Sequence, residues 1–480
     1  MYRAYDVHKD NTLPFVRIKR LELTNFKGVQ HGILEFNCAK EFVPYDTKSD
    51  ILGLYGQNGS GKTSVVEAIR TLKGIFMGYK MSSLVTNAID VNAECAVLNI
   101  EFDFQYRDGR VATVSYETKI KVIEEEKKEL NAIDNGEKVK IPQIYDEIVK
   151  TNIYADKSIG RMHTIIDTTT GKLLCSDSLE EYYFNNKDKE TVRELEYLKR
   201  KLMDDSYSFI FSEAVSETFN VKNLNGSASA YYEILSELQL YATSYLCIIE
   251  TGASGMVQLK AGIPFYLPDN GLVLFDDKTI LPEKSCEIVE QAINSINGVI
   301  NTIIPSFELV LYKTKTITEK GEEAYLLKLM SKREEKIFPL KYEADGIIKI
   351  VSVLAVFTWA FYQGSTTLVV DEFDSGVFEY LLGELLQIFE SAGRGQFIFT
   401  SHNLRPLEVI NKKFIRFTTS DPNDRYCKLK NIGATNNLRD LYLREVQMKN
   451  MDVELYKKTK SYKIARAMQK AGEEMDPSGK

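Results

Sequence analysis

Eight residues, Gly56-Gln57-Asn58-Gly59-Ser60-Gly61-Lys62-Thr63, constrain this chain more than any other stretch. They follow the apolar run ILGLY and lead into SVVEAIRTL, whose apolar positions recur at helical spacing. A glycine-rich turn between a strand and a helix lets successive backbone N–H groups curl around a phosphate, with the positive end of the helix aimed at the same point. In the pattern G-x-x-x-x-G-K-[ST], Lys62 bridges the β- and γ-phosphates and the Thr63 hydroxyl holds Mg²⁺, while Asn58, Ser60 and Ser64 complete the cradle. The expected ligand pair is ATP with Mg²⁺. A Gly-rich surface turn is the bland alternative, and the flanking strand and helix argue against it.

A second constellation lies some three hundred residues on. In TTLVVDEFDSG an apolar run ends at Asp371, and Glu372 follows at once. Beside a bound triphosphate, the first carboxylate supports hydrated Mg²⁺ and the second polarises the attacking water. Alone, two acids at a strand end are as readily explained by solvation. Asp374-Ser375-Gly376 comes next, and GQFIFTSHN places His402 just past another apolar run. A histidine there is commonly structural, but at the carboxyl end of a parallel strand it faces the ligand crevice.

In that order, Gly56 to Thr63, Asp371-Glu372, Asp374-Ser375-Gly376 and His402 resemble the Walker A, Walker B, D-loop and switch-histidine elements of ABC-type ATPases within the AAA-family sense of the term. The LELTNFKGV opening and the large insertion look like the SMC and RecF branch. More narrowly, DEFDSGV, TSHNLRPLE and NNLRDLYLRE look like ATPases of bacterial abortive-infection and anti-phage loci, related to the overcoming-lysogenisation-defect ATPases. The resemblance implies a head-to-tail sandwich, in which the signature helix of one subunit caps the γ-phosphate held by its partner's P-loop, with Ser375 in the D-loop near the nucleotide. The matching place is Glu343-Ala344-Asp345-Gly346, ahead of an apolar helix from Ile347. It departs from L-S-G-G-Q: Ala344 stands where the family has serine, and Asp345 brings a negative charge toward an anion. The helix start still offers N–H groups, and slow turnover is the expectation. An acidic helix start favoured by the macrodipole is the plainer reading. No Q-loop glutamine can be assigned; Gln105 lies on a candidate strand where an outward-facing residue explains it equally well.

The fold class that follows is α/β: an ABC-type P-loop NTPase head made of a mixed β lobe and an α/β lobe, with a mainly helical insertion. Residues 1–117 form the N-terminal lobe, with strands in VRIKRLELTNF, HGILEF, CAVLNIEFDFQY and RVATVSYETKIKV. Residues 118–304 are expected to be the insertion, on the charged composition of EEEKKEL and the helix-length patterns of SASAYYEILSELQLYATSYLCII and KSCEIVEQAINSINGVINTII. Residues 305–430 carry the second lobe, and 431–480 a helical tail with basic side chains.

Composition narrows the partners. The chain has 61 basic and 68 acidic residues and a net charge of −7, so no global positive field points to nucleic acid. Its six cysteines lie apart, without metal-ligand spacing, as suits reduced thiols. No apolar segment of signal-peptide type opens the chain, and the apolar run from Ile350 to Phe361 is shorter than the roughly 20 residues of a membrane span. A cytoplasmic protein without membrane partners is expected. Related ATPases often carry a Toprim nuclease that needs a D-x-D cluster, and none follows His402. Two readings stay open. In one, ATP holds a homodimer or larger homo-oligomer that keeps a separately encoded effector, a nuclease or toxin, until a phage protein or nucleic acid triggers it. In the other, a RecF- or SMC-like ATPase clamps DNA through Arg17, Lys19 and Arg20 or through Lys457, Lys458, Lys460, Lys463, Arg466 and Lys470. A transporter subunit is a weaker third reading.

Overall fold

Two six-stranded sheets share one hydrophobic core with the helix that begins at Lys62. The computed structural model describes residues 14–36, 48–126, 138–154, 161–169, 189–213, 215, 227–250, 263–267, 271–275, 279–318, 321–428, 437–448, 455 and 460–475.

The first sheet is antiparallel. β1 (Phe15–Phe26) and β2 (Val29–Glu35) form the expected hairpin, turning at Lys27 and Gly28, both at positive φ as a two-residue turn of this hand requires. β3 (Asp50–Tyr55) belongs to the other sheet. β4 (Ala96–Gln105), β5 (Val111–Glu126), β6 (Lys138–Tyr154) and β7 (His163–Asp167) extend the first, in the order β2-β1-β4-β5-β6-β7. The expectation that 118–304 is mainly helical therefore fails for its opening part. The period-2 signal is broken in β6, where Asp146 pairs with Lys119 but Ile144 with Ile120, leaving Tyr145 as the extra residue, and by charged residues on strand faces, including the fully buried Glu147. Helices do follow: α1 is Lys62–Phe76, α2 Lys189–Asp204 and α3 Ser227–Leu240.

The second sheet holds the site. β8 (Leu246–Ile249), β15 (Thr367–Val370), β16 (Gln396–Ser401), β3 and β17 (Ile415–Thr418) run parallel, with β18 (Tyr426–Cys427) antiparallel at the edge. LCII was expected to end a helix. It is instead an edge strand, because four apolar residues fit either structure until a neighbouring strand decides.

Every residue of β3, β15 and β16 is buried, as in a sheet covered on both faces. Leu52 and Leu54 join the core around α1 and the antiparallel sheet, whereas Ile51 and Tyr55 point to the opposite core. That second core is lined by α4 (Glu283–Ile303), α5 (Asp345–Tyr362) and α6 (Glu379–Ala392). Between these elements lie the β9–β10 hairpin (Ile263–Leu267, Gly271–Phe275) and an antiparallel group formed by β11 (Ile280–Leu281), β12 (Phe307–Ile317), β13 (Glu323–Arg333) and β14 (Lys336–Pro339). Among the described residues α5 alone is long and apolar enough to cross a membrane by length and composition. Here it contributes Val351, Leu354 and Phe357 to the second core. α7 (Leu438–Met448) and α8 (Ser461–Met475) end the described chain.

Candidate nucleotide site

The turn after β3 is clamped from behind. Gly56 passes so close to Thr418 that a Cβ would collide with the threonine hydroxyl, which is why glycine is required there. Thr418 Oγ1 donates to Tyr55 O at 3.2 Å and meets Ser60 Oγ, and Ser60 Oγ donates to Gln57 O at 2.6 Å. Tyr426 OH holds Gly61 O at 2.9 Å. Gly59 and Gly61 adopt φ of 74° and 90°, leaving α1 to start at Lys62 with no side-chain cap. Asn58, Gly59 and Thr63 are exposed; Gly56, Ser60, Gly61 and Lys62 are buried. Ser64 is also buried, and its hydroxyl donates to Lys27 O at 2.9 Å. Only its main chain remains for a ligand.

Lys62 Nζ donates to Gly56 O at 2.7 Å and Gln57 O at 2.8 Å. Burial pushes its pKa down to about 8, against the pull of Asp371, Asp374 and Glu372. The same three carboxylates act on His402, whose pKa falls below the usual histidine value because of burial and the Lys62 charge. Lys62, Asp371, Glu372, Asp374 and His402 thus share one local field.

Thr400, two residues before His402, ties the strand ends together. Its Oγ1 donates to Asp371 Oδ1 at 2.6 Å and accepts from Glu372 N at 2.7 Å. Asp374 Oδ2 accepts from the main-chain N–H groups of His402 (3.1 Å) and Asn403 (2.9 Å), while its Oδ1 is buried without a hydrogen-bond partner. Ser375 sits in the same turn, its N–H donating to Glu372 O at 2.9 Å. Thr400 was not singled out from sequence, yet a hydroxyl in an otherwise apolar buried strand was a usable signal.

Glu250 was missed as well. It follows β8 as Asp371 follows β15; Val370 pairs with Ile249, and Asp371 N donates to Ile249 O at 2.9 Å. Burial raises its pKa, opposed by Arg70, with which it pairs at 3.0 Å, and Asp371 adds to the rise. Gln105, by contrast, ends β4 opposite Phe15 and Val111 in the antiparallel sheet.

The signature candidate lies at the start of α5. Ala344 is the N-cap, with no side-chain hydrogen bond, and both Ala344 and Asp345 are exposed. Glu343 is turned inward, bound to Arg333 at 2.9 Å and Ser331. Gly346 backs onto the main chain of Gly376.

The donor set fits ATP and Mg²⁺. Loop N–H groups, one ammonium, an exposed threonine hydroxyl and a strand-end carboxylate suit a triphosphate, and the unpaired Asp374 Oδ1 suits a donor such as a cation's water. Among the described residues no group of three or more His, Cys, Asp or Glu could hold a metal. A cation held by one carboxylate, a hydroxyl and phosphate oxygens is the habit of Mg²⁺.

The model of the family described as RecF/RecN/SMC N terminal domain matches residues 17–423. The chain belongs to that family. It is an SMC/RecF-like ABC ATPase, with the ATP-binding and hydrolysing function and the ABC-type head fold that membership carries. A search of the curated proteins returns no match. Solved structures similar to this family member include an SMC head domain from Thermotoga maritima (13% identity, 86% of this chain and 99% of that chain, TM-score 0.35). Another is an Smc head with an extended coiled coil bound to the C-terminal domain of ScpA, from Pyrococcus furiosus (12% identity, 86% and 96%, TM-score 0.38). A third is an Smc head with a coiled coil and joint from Pyrococcus yayanosii (10% identity, 90% and 99%, TM-score 0.39).

Proposed function

We propose that two copies of this chain enclose ATP between the P-loop of one and the Ala344–Gly346 helix start of the other, and that the engaged dimer is a slow switch holding a separate effector of an anti-phage system. The observation that carries the first half is the outward-facing helix start: its exposed N-cap has no side chain satisfying the free N–H groups, so they are open to an anion from outside. Lys62 and the loop N–H groups hold the phosphates, and Thr63 and Asp371 hold the cation. Bound Mg²⁺ supplies charge neutralisation at the phosphates. Glu372 takes the proton of the attacking water, and the neutral imidazole of His402 meets the terminal phosphate.

The choice of a switch over a DNA clamp rests on the fate of the first basic run. Arg17 is 2% exposed and spends its guanidinium on the carbonyls of Lys48 and Arg394. Lys19 pairs with Asp103 at 3.1 Å, and Arg20 with Glu22 at 2.7 Å. A register shift between Ile18 and Arg20 further breaks the regular strand pairing through this run. What favours the clamp is α8, where Lys463, Arg466 and Lys470 are exposed; Lys460 just before it is exposed too, and Lys457 and Lys458 lie outside the described residues. The effector and trigger fit a cytoplasmic defence protein through the sequence resemblance alone.

Glu372→Gln tests the sandwich. It should keep ATP, cut hydrolysis about a thousandfold through loss of the base, and run as a dimer with ATP in light scattering. A monomer in saturating ATP, or hydrolysis at the parental rate, overturns this reading. Duplex DNA binding that strengthens with ATP and weakens with salt replaces the switch by the clamp.

A further inference from the structure

Lys349 is an ammonium in an apolar helix. It is 1% exposed, three residues past Gly346, between Ile348 and Ile350. A charge so buried is strongly unfavourable unless it is paired and hydrogen-bonded, and a methionine would fill the same volume. Its partner is not a side chain: Nζ donates to the main-chain carbonyl of Glu372. Asp374, Glu372 and Asp371 stabilise its charge, while burial pulls its pKa down to about 8.

Glu372 has φ of 48°, in the left-handed region, where a non-glycine residue is strained by about 1–3 kcal/mol. Three hydrogen bonds hold it there. Lys349 and the Ser375 N–H both donate to its carbonyl, and its own N–H reaches Thr400 Oγ1. One turn earlier in α5, Gly346 lies so close to Gly376 that a Cβ at Gly346 would strike the Gly376 carbonyl. The helix start and the turn carrying the hydrolytic carboxylate are therefore fastened at two points within one subunit.

We propose that Lys349 is the positioning residue for Glu372. It fixes the left-handed turn that aims the carboxylate and makes α5 and that turn one rigid piece. The further consequence rests on the sandwich reading: the start of α5 meets a phosphate in one composite site while Glu372 of the same chain serves the other, so Lys349 links the two.

Lys349→Met removes the donor and keeps the volume. The expected result is a fall in kcat of about a hundredfold, the scale of a misplacement near 1 Å, with ATP affinity unchanged within about twofold. Lys349→Arg, which restores a charged donor, should recover part of the loss. Unaltered kcat in Lys349→Met sinks the proposal, as does a loss of ATP affinity that matches the loss of kcat. If the methionine variant fails to fold, Lys349→Gln, which keeps a donor, gives the same readings and must fall between parent and total loss. Mixing Lys349→Met with Glu372→Gln chains asks whether the lysine acts within its own subunit. Both changes then disable separate sites of a mixed dimer, and the mixture should stay as slow as its parts; recovery of activity would place Lys349 in the partner's site. Should Glu372→Gln remain monomeric in ATP, the sandwich falls, while the kcat comparison still decides the positioning role.

Discussion

The P-loop and the start of α5 are the two halves of one proposed nucleotide site, yet they are built in opposite ways. The P-loop is buried at Gly56, Ser60, Gly61 and Lys62, is stitched by Thr418 and Tyr426 to the strands behind it, and is braced by its own lysine on its own carbonyls. The start of α5 is exposed at Ala344 and Asp345, lacks a capping side chain, and is secured from behind by Glu343 with Arg333 and by Gly346 on Gly376. A preorganised half can bind ligand within one chain. An open half gains partners for its N–H groups only when something docks on it. The contrast separates binding from closure, and each half can be broken alone.

The largest effect is expected on the preorganised side. Lys62→Ala removes the ammonium that meets the phosphates, a charge-assisted contact of about 1.5–3 kcal/mol, so ATP affinity should fall about tenfold to a hundredfold or more. Equilibrium titration with a fluorescent ATP analogue checks this directly. Undiminished affinity would mean that the loop does not hold the triphosphate, and the comparison would lose its first term.

Ala344→Ser sharpens the second term, with a smaller effect at each site. A serine at an N-cap accepts from its own helix, which by itself stabilises the folded monomer by about 0.5–2 kcal/mol. Its hydroxyl can also donate to a phosphate from the partner, and the dimer formed in ATP by the Glu372→Gln background should tighten about fivefold for each of its two nucleotide sites, one hydrogen bond's worth per site. The two readouts come apart. A raised melting temperature without nucleotide, together with an unchanged dimer constant in ATP, would show that this helix start is merely a helix start.

The same contrast explains what could be read from the sequence. The P-loop, Asp371-Glu372 and His402 were legible because phosphate chemistry fixes residue type and spacing over a few positions, and strand ends set their direction. Thr400, Glu250 and Lys349 were not, since each acts through a neighbour that only the tertiary structure supplies: Thr400 through Asp371, Glu250 beside Asp371 across β8, Lys349 through a carbonyl. Strand β8 was lost for a related reason. LCII has the length and polarity of a helix segment until β15 is placed next to it. The far end of β5 and the whole of β6 were hidden by their charge, because partners such as Lys119 for Asp146, or Tyr116 and Ser208 for Glu147, make charged residues acceptable in a sheet.

The smallest expected effect is that of pH, and its two signs oppose each other. Burial holds Lys62 near a pKa of about 8, below the 10.5 of an exposed lysine, so it keeps its charge below pH 8 and loses it above. ATP favours the charged form, and its affinity should therefore fall as pH rises, by about threefold between pH 7.5 and 8.5 and never faster than tenfold per unit. Folding responds the other way. Between about 8 and 10.5 the unfolded chain binds more protons at this position than the folded one, so the contribution of Lys62 to the stability of the nucleotide-free protein rises with pH through that window. Lys349, also near 8, adds to the second trend without touching the ligand. Comparing the parent with Lys62→Ala isolates the lysine from every other titrating group: the variant should lose the pH dependence of ATP binding and only part of the rise in stability. If the parent's affinity is flat from pH 7 to 9, bound ATP is not reading the Lys62 charge, and the buried half of the site holds its ligand by the loop N–H groups alone.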